Sequence, residues 1–599
     1  MQTLSELFLT VAGYDKPDCL LHKVDGRFQP ISTQELVSRV KRLSTALAEL
    51  GIERGDRVAL MAENGPHWPT VDFATLCIGA VLVPIYPTLT AEQAAFIAND
   101  CGARLLFVQG RDRLLGMQGE GHSMPQIENF VLIDAASADA EVPTLETLIE
   151  RSEPMADIRF EAEARRVSGD DLATFIYTSG TTGNPKGVML THRNIASNVV
   201  HGFSRIDLGE NWTALSFLPL SHSFERTIDY VYFHRRITIA YAESLQTVAR
   251  DFQEVNPHVF VSVPRVYEKV LAKVYESVAS SSPLKQKIFH WAQSVAQNAL
   301  PYRLRQTSPT GSLGIKLRIA DKLVFGKIKA RLGNRIQFAA SGGAPLGKEL
   351  AEFFWSAGIE IYEGYGLSET SPILTVNSPG RVKLGTVGTP IPETELAIAD
   401  DGEILARGPQ IMRGYFNLPD ATSEAIDEKG WFHTGDIGEI DEDSFLRITD
   451  RKKEIIVNAY GKNVAPAPIE NALKSSRFID QAVVIGDRRK LMSALLVPDF
   501  ETLRSWASQT GLQITDLAGL LREKAVRELY AEEVERVNQK LARYEQVRIW
   551  ELLPEDFTVE TGELTPTQKV KRRVIHTKFG HLIDKMYERA REVQIATKV

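Results

Sequence analysis

The chain is poor in cysteine: three occur among its 599 residues, and no two of them form a C-x-x-C pair. A zinc site built on paired cysteines is therefore not expected. The odd number and wide spacing of Cys19, Cys77 and Cys101 are typical of a reducing compartment. The N-terminus also lacks a basic segment followed by an apolar one, which predicts no signal peptide. We therefore expect a cytoplasmic protein.

Two further features are missing, an excess of positive charge and a long apolar run. The formal net charge is −8, whereas nucleic-acid-binding domains are usually basic. The longest apolar stretch, at 73–86, is too short to cross a bilayer and contains a proline. Its pattern predicts a buried helix that leads into a core strand. No nucleic-acid partner is expected, and the chain is predicted to be soluble or peripheral to a membrane.

The hydrophobic pattern alternates between helical and strand periods. An amphipathic pattern predicts a helix over 32–50, capped by Ser32 or Thr33. Runs rich in β-forming residues predict strands at 57–64 and 103–110. Such alternation indicates layered α/β structure.

A chain of this length is expected to form more than one domain. We predict a large α/β domain with a β-rich part at 1–449 and a smaller α+β domain at 450–599. Residues 265–335 carry long helical patterns rich in Lys, Gln and Ala. They predict a helical insertion within the larger domain.

The strongest chemical signal is the string IYTSGTTGNPKGVMLTHRN at 176–194. A strand-like run enters a loop of Ser, Gly and Thr, and a second strand and a helix opening at Thr191 follow. Glycine allows a backbone to approach a ligand closely, and successive N–H groups in such a loop form an anion-binding concavity. The familiar NTPase signature fails, because Pro185 precedes the lysine and Gly187 follows it. The residues expected to bind a polyphosphate are Thr178, Ser179, Gly180, Thr181, Thr182, Gly183 and Lys186.

This string resembles the phosphate-binding signature of the adenylate-forming (AMP-binding) superfamily, which includes acyl-CoA synthetases, luciferases and the adenylation domains of peptide synthetases. The resemblance extends over nearly the whole chain, because further motifs follow in the family's order. It implies that the smaller C-terminal domain is mobile, and that the protein uses ATP, Mg²⁺ and coenzyme A. Each side chain named below is, taken alone, also typical of a surface or core residue, so the assignment depends on their joint occurrence.

Two motifs resemble the family's adenine site, SGGAPLG at 341–347 and EGYGLSETSP at 363–372. The resemblance implies that Tyr365 stacks on the adenine, that Ser368 contacts phosphate and that Glu369 holds Mg²⁺. The family more often has Thr at the position of Ser368, but the hydroxyl is kept. The other residues implied at the nucleotide are Gly343, Ala344, Pro345 and Gly366.

The string WFHTGDIG at 431–438 also matches, and it offers Asp436 as the acceptor for the ribose hydroxyls. The following DRKKEIIVNAYGKN resembles the family's hinge and the first strand of the mobile domain. The resemblance implies that Arg451 contacts the ribose and that Lys453 is the pivot. Gly461 is implied where the pantetheine arm of coenzyme A passes.

LTPTQKVKRR at 564–573 resembles the C-terminal catalytic-lysine loop, which indicates Lys569. The family usually has Gly at the position of Gln568, and Lys571 is close by. Lys571 is therefore an alternative to Lys569 as the catalytic lysine. LPLSHSFERTIDY resembles the acyl-pocket motif, in which His222 would lie near the carboxylate. The catalytic residues implied are Lys569, Glu369 and Lys186.

VSVPRVYEKV at 261–270, the helical insertion and the segment 320–346 resemble long-chain acyl-CoA synthetases in particular. The implied reaction is ATP-dependent ligation of a long-chain fatty acid to coenzyme A through an acyl-adenylate, with release of AMP and pyrophosphate. The main alternative is a fatty acyl-AMP ligase that delivers to a carrier protein, although Gly461 favours free coenzyme A. A non-catalytic nucleotide-binding protein or a phosphotransferase that releases ADP are further alternatives.

The C-terminal segment after Lys569 is rich in Lys and Arg, among them Lys578, Lys585, Arg589 and Arg591. This pattern is typical of a solvated helix face, or of a peripheral contact with anionic lipid at the inner face of a membrane. Relatives include homodimers, so a homodimer is a further possibility that the resemblance raises.

Overall fold

The structure is a computed structural model that describes residues 1–119, 123–134, 142–178, 185–512, 516–565 and 569–596. Its strands are β1 (Leu20–Val24), β2 (Arg27–Ile31), β3 (Arg57–Met61), β4 (Val81–Pro84), β5 (Ala103–Val108), β6 (Asn129–Leu132), β7 (Leu172–Thr178), β8 (Lys186–Thr191), β9 (Thr213–Ser216), β10 (Thr238–Tyr241), β11 (Val259–Ser262), β12 (Phe338–Ser341), β13 (Ile361–Gly366), β14 (Ile373–Val376), β15 (Thr389–Pro390), β16 (Glu395–Ile398), β17 (Glu403–Arg407), β18 (Gly414–Tyr415), β19 (Phe432–Ile440), β20 (Leu446–Arg451), β21 (Ile456–Val457), β22 (Asn463–Val464), β23 (Ile479–Ile485), β24 (Met492–Pro498) and β25 (Val547–Leu552).

The helices are α1 (Leu4–Ala12), α2 (Thr33–Glu49), α3 (His67–Cys77), α4 (Ala91–Asp100), α5 (Arg111–Met117), α6 (Leu145–Arg151), α7 (Asp157–Arg166), α8 (His192–His201), α9 (Ser223–His234), α10 (Val248–Val255), α11 (Pro264–Ala279), α12 (Pro283–Leu304), α13 (Gly311–Ala320), α14 (Gly326–Arg331), α15 (Lys348–Ala357), α16 (Pro419–Ala425), α17 (Pro466–Lys474), α18 (Phe500–Gln509), α19 (Leu517–Leu520), α20 (Lys524–Asn538) and α21 (Arg572–Ala596). A π-helical turn, Asp321–Phe325, joins α13 to α14, and a 3₁₀ turn, Ser368–Thr370, follows β13.

Several helices and strands that the sequence predicted are present in the structure. Ser32 caps α2, since its side chain accepts a hydrogen bond from the Glu35 N–H at 3.1 Å. The apolar run at 73–86 forms the end of α3, which is buried on nearly all sides, and then β4, whose four residues are all buried. Helices α11 to α14 fill the predicted helical insertion. These sequence-based expectations are confirmed.

Two large sheets contain β1 to β15 and also β18. One has the order β18-β8-β7-β4-β3-β5-β6, and the other has the order β15-β14-β13-β12-β11-β9-β10-β1-β2. The central strands are parallel, as in β3 with β4 and β5 and in β11 with β12. Helices cover the sheets, and this layering confirms the predicted α/β class. The C-terminal ends of β7, β12 and β13 carry the motifs that the sequence singled out.

A four-stranded sheet of order β16-β17-β19-β20 follows, and it is the β-rich part that the sequence predicted. After it come the β21-β22 pair and the three-stranded sheet β23-β24-β25, packed with α17 to α21. Residues 456–587 form hydrophobic clusters of their own, distinct from those of residues 4–448. The division at 449/450 and the mobility of the second part stay predictions.

The described residues contain no helix that is both long and apolar enough to cross a membrane. The three cysteines are buried and unpaired, and burial raises the pKa of the Cys19 thiol to about 11.

Candidate active site

One cavity of about 2150 Å³ lies between the sheets of the larger part of the chain and the C-terminal elements. Most of the residues predicted for the site line it. They are Thr178, Lys186, His222, Gly343, Ala344, Pro345, Tyr365, Gly366, Ser368, Glu369, Asp436, Arg451, Lys453 and Lys569. Segments that are far apart in the sequence therefore converge on one space, as a site for a large substrate requires.

The flanks of the predicted phosphate loop lie at the wall of this cavity. β7 and β8 are antiparallel, and Thr178 pairs with Lys186 across them. The central residues of this loop lie outside the described residues, so their predicted phosphate contacts stay predictions. They are Ser179, Gly180, Thr181, Thr182 and Gly183. Thr191 caps α8 as the sequence indicated, with its side chain accepting from the Asn194 N–H.

Glu369 lies in the 3₁₀ turn after β13, and its position is fixed by the strand β18. Its Oε1 accepts a hydrogen bond of 3.0 Å from the Tyr415 hydroxyl, and its backbone carbonyl accepts from the Met412 N–H at 2.8 Å. The Lys186 ammonium lies 4.9 Å from the centroid of the Tyr415 ring. Tyr415 thus holds an anionic and a cationic side chain at the same wall.

Sequence reasoning did not single out Tyr415. It reaches the site because Tyr415 pairs with Val188 and Gly414 with Met189. No local pattern predicts this pairing between a two-residue strand and β8.

Asp436 is at the centre of a hydrogen-bonded group on the cavity wall. Its Oδ2 accepts from the Tyr365 hydroxyl at 2.6 Å, and its Oδ1 accepts from Nε of Arg451 at 3.0 Å. The pairing of β19 with β20 places Asp436 directly opposite Arg451. Burial, followed by the charge of Asp436, raises the pKa of Tyr365. Each carboxylate oxygen has a second lone pair, so Asp436 can accept hydroxyls of a ligand in addition.

Lys569 belongs to the C-terminal part and lines the cavity. Its backbone N–H donates to Oγ1 of Thr565 at 3.0 Å, and its carbonyl accepts from the Thr565 N–H at 2.8 Å. The side chain is exposed to the cavity, yet enclosure by the walls weakens the hydration of its ammonium. This desolvation and, next, the charge of Arg451 lower the pKa of Lys569 to about 8, although Asp436 and Glu369 oppose the shift.

The charges that shift the pKa of Lys569 belong to the same cavity, which supports Lys569 as the predicted lysine. Three of the charged groups that act on the Lys569 ammonium are Arg451, Asp436 and Glu369, and all three line the cavity. Lys571 also borders the cavity, and its backbone N–H donates to the Glu563 carbonyl at 2.7 Å.

His222 caps α9, with its Nδ1 accepting from the Phe224 N–H at 3.0 Å. The proton of the neutral ring is therefore assigned to Nε2. Enclosure of the ring and then the charge of Lys569 lower the pKa of His222 to about 4. The residue is neutral at pH 7, and it offers an Nε2–H donor rather than a positive charge.

The predicted hinge residue and the predicted coenzyme A channel residue lie in different places relative to the cavity. Lys453 is exposed and lines the cavity, while its neighbour Lys452 pairs with Asp401 at 2.5 Å and Glu403 at 2.9 Å. Gly461 has a φ of +72°, is exposed and is not among the residues that line the cavity. Its role toward coenzyme A stays a prediction.

Ion pairs that the sequence did not indicate connect the two parts of the chain. Arg265 of α11 donates from Nη1 to the carbonyl of Asp480 at 3.0 Å and pairs with the carboxylate of the same residue. Lys540 pairs with Glu349 at 2.7 Å. These contacts link the C-terminal elements to the larger part of the chain while Lys569 lines the cavity.

Comparison with known proteins agrees with this geometry. Residues 13–416 match the model of the AMP-binding enzyme family, and residues 453–591 match that of the AMP-binding enzyme C-terminal domain. The chain is 38% identical, over 96% of its length and 95% of the relative's, to the long-chain-fatty-acid–CoA ligase FadD15 of Mycobacterium bovis. It is 32% identical to the human long-chain-fatty-acid–CoA ligase ACSBG1, over 94% of this chain and 82% of that protein.

A solved structure shares the fold at low sequence identity. The A domain of a carboxylic acid reductase from Segniliparus rugosus, in complex with AMP and a co-purified carboxylic acid, superposes with a TM-score of 0.75 at 21% identity, covering 98% of this chain and 94% of that one. The expected fold and superfamily are confirmed, and the chain belongs to the family of AMP-binding enzymes.

Proposed function

We propose that this protein ligates a long-chain fatty acid to coenzyme A through an acyl-adenylate, with release of AMP and pyrophosphate. Its family uses ATP and coenzyme A, and relatives matched over nearly the whole chain are named as long-chain-fatty-acid–CoA ligases. The observation that carries the proposal is the convergence of Lys186, Glu369, Asp436 and Lys569 on one cavity.

The first half-reaction makes the acid a good acyl donor. A fatty acid is already ionised at neutral pH, so no general base is needed. Its carboxylate oxygen attacks the α-phosphorus of ATP, a new P–O bond forms, and the bond to pyrophosphate breaks. Lys186 and Lys569 stabilise the negative charge that develops on the phosphate oxygens, and Asp436 with Tyr365 and Arg451 holds the nucleoside.

The residues at this wall fit a magnesium ion. Mg²⁺ is usually bound through one or two carboxylates together with substrate phosphates, and no group of three His, Cys, Asp or Glu side chains forms a metal cluster among the described residues. Glu369 would therefore hold the ion through one carboxylate while Tyr415 fixes its orientation. When bound, Mg²⁺ neutralises phosphate charge.

His222 is proposed to orient the acyl carboxylate. Because its ring is neutral and its Nδ1 accepts from Phe224, Nε2–H is the group that can donate to a carboxylate oxygen. A neutral donor positions the nucleophile without forming an ion pair that would weaken it.

In the second half-reaction the thiol of coenzyme A gives its proton to solvent and attacks the anhydride carbonyl. The C–S bond forms and the bond to the AMP oxygen breaks. A lysine that contacts the phosphates obstructs the approach of the thiol, so the C-terminal part is proposed to turn about Lys453 between the two steps and bring Gly461 to the pantetheine arm.

Product analysis tests the function. Incubation with ATP, coenzyme A and a panel of fatty acids is expected to give AMP, pyrophosphate and acyl-CoA. ADP as a product would contradict the proposal. Formation of an acyl-adenylate without transfer to coenzyme A would instead favour the alternative, a fatty acyl-AMP ligase that delivers to a carrier protein.

Cytoplasmic localisation, peripheral contact with a membrane and a homodimer are further parts of the proposal. The basic C-terminal residues first indicated the membrane contact, but several of them form ion pairs within the protein. Arg572 pairs with Glu454 and Glu470, and Lys578 pairs with Glu563. The charge of α21 is thus partly neutralised. Sedimentation velocity tests the homodimer, and a purely monomeric boundary at micromolar concentration would contradict it.

A further inference from the structure

The outer face of α13 and the adjoining π-turn carries an unusual apolar stripe. Ile315, Ile319 and Leu323 are 55%, 45% and 46% exposed. Their spacing of four residues places them in one row along the helix. The inner face of the same helical segment is already apolar and packed, with Ala320, Phe325 and Ile328 buried. A helix that packs on one side is normally polar on its other side. The exposed apolar stripe is therefore expected to contact a partner.

Lysines border this stripe. Lys316, Lys322 and Lys327 are exposed, and within the part of the chain that the structure describes none of them forms an ion pair. The nearby acid, Asp321, pairs instead with Lys329 at 2.6 Å. We name the surface formed by Ile315, Ile319, Leu323, Lys316, Lys322 and Lys327 the basic helical face.

The segment that contains this surface has a net positive charge, whereas the whole protein has a net negative charge. Residues 283–335 contain eleven Lys or Arg and one Asp, whereas the whole chain has a net charge of −8. The rest of the molecule therefore carries a net negative charge, and the basic segment attracts an anionic partner more strongly than the average surface does.

We infer that the basic helical face docks on an anionic lipid surface. A helix that presents aliphatic side chains bordered by lysines is typical of binding in the plane of a membrane interface, with the aliphatic groups inserted and the ammonium groups at the lipid phosphates. Protein interfaces are depleted in lysine and enriched in aromatic residues, and the basic helical face shows the opposite composition. Its aliphatic row also has no counterpart on a nucleic-acid backbone.

The face adjoins the catalytic cavity through the helical insertion. Tyr275 of α11 lines the cavity, and its ring centroid lies 6.0 Å from that of Phe289 on α12. α13 packs against α12 in turn. Docking of the basic helical face would thus place at the lipid surface the helical insertion that contributes Tyr275 to the cavity wall. The inference specifies the membrane contact of the proposed function, but it does not depend on the catalytic assignments.

Flotation with lipid vesicles tests the inference on the full-length chain. The protein is expected to float with vesicles of phosphatidylcholine and phosphatidylglycerol, and only weakly with phosphatidylcholine alone. The triple variant Lys316→Gln, Lys322→Gln, Lys327→Gln should lower the partition coefficient on anionic vesicles by roughly tenfold or more. High salt should likewise lower the partition coefficient of the unchanged protein, because it screens the lysine charges. The variant Ile315→Ser, Ile319→Ser, Leu323→Ser should weaken binding by a similar factor.

Matched controls separate this face from other surfaces. Ile158→Ser with Leu245→Ser removes apolar side chains that are 87% and 62% exposed elsewhere, and Lys585→Gln with Arg589→Gln removes charge from α21. Both pairs should float like the unchanged protein. Three outcomes would each overturn the inference. They are failure of the unchanged protein to float, normal flotation of both basic-helical-face variants, and loss of flotation in the α21 variant alone.

Turnover and oligomeric state distinguish lipid docking from a loss of folding and from a contact between subunits. All variants should keep their turnover with a monodisperse acid in detergent, and a protein that floats but forms no acyl-CoA would contradict the proposed function and leave this inference intact. Sedimentation velocity should give the same oligomeric state with and without the apolar stripe. A dimer that dissociates in the Ile315, Ile319, Leu323 variant would make the face a contact between subunits and overturn the inference.

Discussion

The Tyr415 hydroxyl donates a hydrogen bond of 3.0 Å to Oε1 of Glu369, while the ammonium of Lys186 lies over the Tyr415 ring. The proposed magnesium ligand, Glu369, and the proposed phosphate-binding Lys186 therefore both contact one aromatic residue from a distant strand. Burial and the charge of Glu369 raise the pKa of Tyr415, which keeps its hydroxyl a donor throughout the physiological range.

Replacing Tyr415 by Phe should leave the ring under Lys186 and free the carboxylate of Glu369. We expect kcat/KM for adenylation to fall about tenfold, with a higher Mg²⁺ concentration at half-maximal rate, because a hydrogen bond to a charged group is lost. Titration of Mg²⁺-ATP binding by calorimetry checks the effect without turnover. Tyr415→Leu also removes the contact with Lys186 and should weaken nucleotide binding further. Unchanged Mg²⁺ dependence in Tyr415→Phe would contradict the positioning role.

The lowered pKa of Lys569 predicts a pH dependence of the first half-reaction. The free enzyme loses the positive charge of Lys569 as pH rises through about 8, so kcat/KM for ATP should fall on that side. Bound phosphates favour the charged form, and kcat should therefore fall only at a higher pH. In Lys569→Arg the side chain stays charged, and the alkaline limb of kcat/KM should disappear. An identical limb in that variant would assign the titration to another group.

A buried ion pair between α9 and α3 predicts a large effect on stability. Arg226 donates from Nη2 and Nε to Asp72 at 2.5 and 3.0 Å and from Nη1 to Thr174 at 2.8 Å, and both charged residues are buried. Arg226→Met removes the cationic partner of Asp72 and leaves the Tyr230 hydroxyl, at 2.5 Å, as a neutral donor to its carboxylate. The variant should cost about 3–5 kcal/mol in urea unfolding, because the buried charge is no longer compensated. The double variant Arg226→Met, Asp72→Leu should recover much of this loss. A single variant as stable as the original would show that Asp72 is compensated in another way.

The proposed pivot can be tested with proline. The backbone N–H of Lys453 takes part in no hydrogen bond found among the described residues, so Lys453→Pro removes none and mainly restricts rotation at this position. We expect formation of acyl-adenylate to continue and transfer to coenzyme A to be blocked, as followed by separate assays of the two half-reactions. Lys453→Ala is the control for the loss of the side chain. Normal transfer in the proline variant would exclude a pivot at Lys453.

Much of this site was predictable because its residues lie in contiguous motifs. Asp436, Tyr365 and Lys569 stand in strings that resemble the family's motifs, and each lines the cavity. The local signals were also sufficient for α2, capped by Ser32, and for the helical insertion. Periodicity and capping act over a few residues, and the sequence shows them directly.

What could not be predicted depends on pairing between distant segments. The contact of Tyr415 with Glu369 requires β18 to pair with β8, and the ion pair of Arg265 with Asp480 requires α11 to meet β23. Register between distant strands is set by packing of the whole domain, which no single motif encodes. The exposed stripe at Ile315 and Ile319 was likewise hidden, because periodicity alone does not show which of two apolar faces is buried.

Lys569 is proposed to act in acyl-adenylate formation within the cavity that also holds Glu369 and Asp436, and the two half-reactions of Lys569→Ala test this role. Single-turnover experiments would follow pyrophosphate release for the first half-reaction and transfer from supplied acyl-adenylate to coenzyme A for the second. We predict that the first rate falls by at least about a hundredfold, because a charge-stabilising contact to the phosphates is lost, while the second stays within a few-fold of normal. Equal loss of both rates, or an unaffected first rate, would contradict the assignment of Lys569.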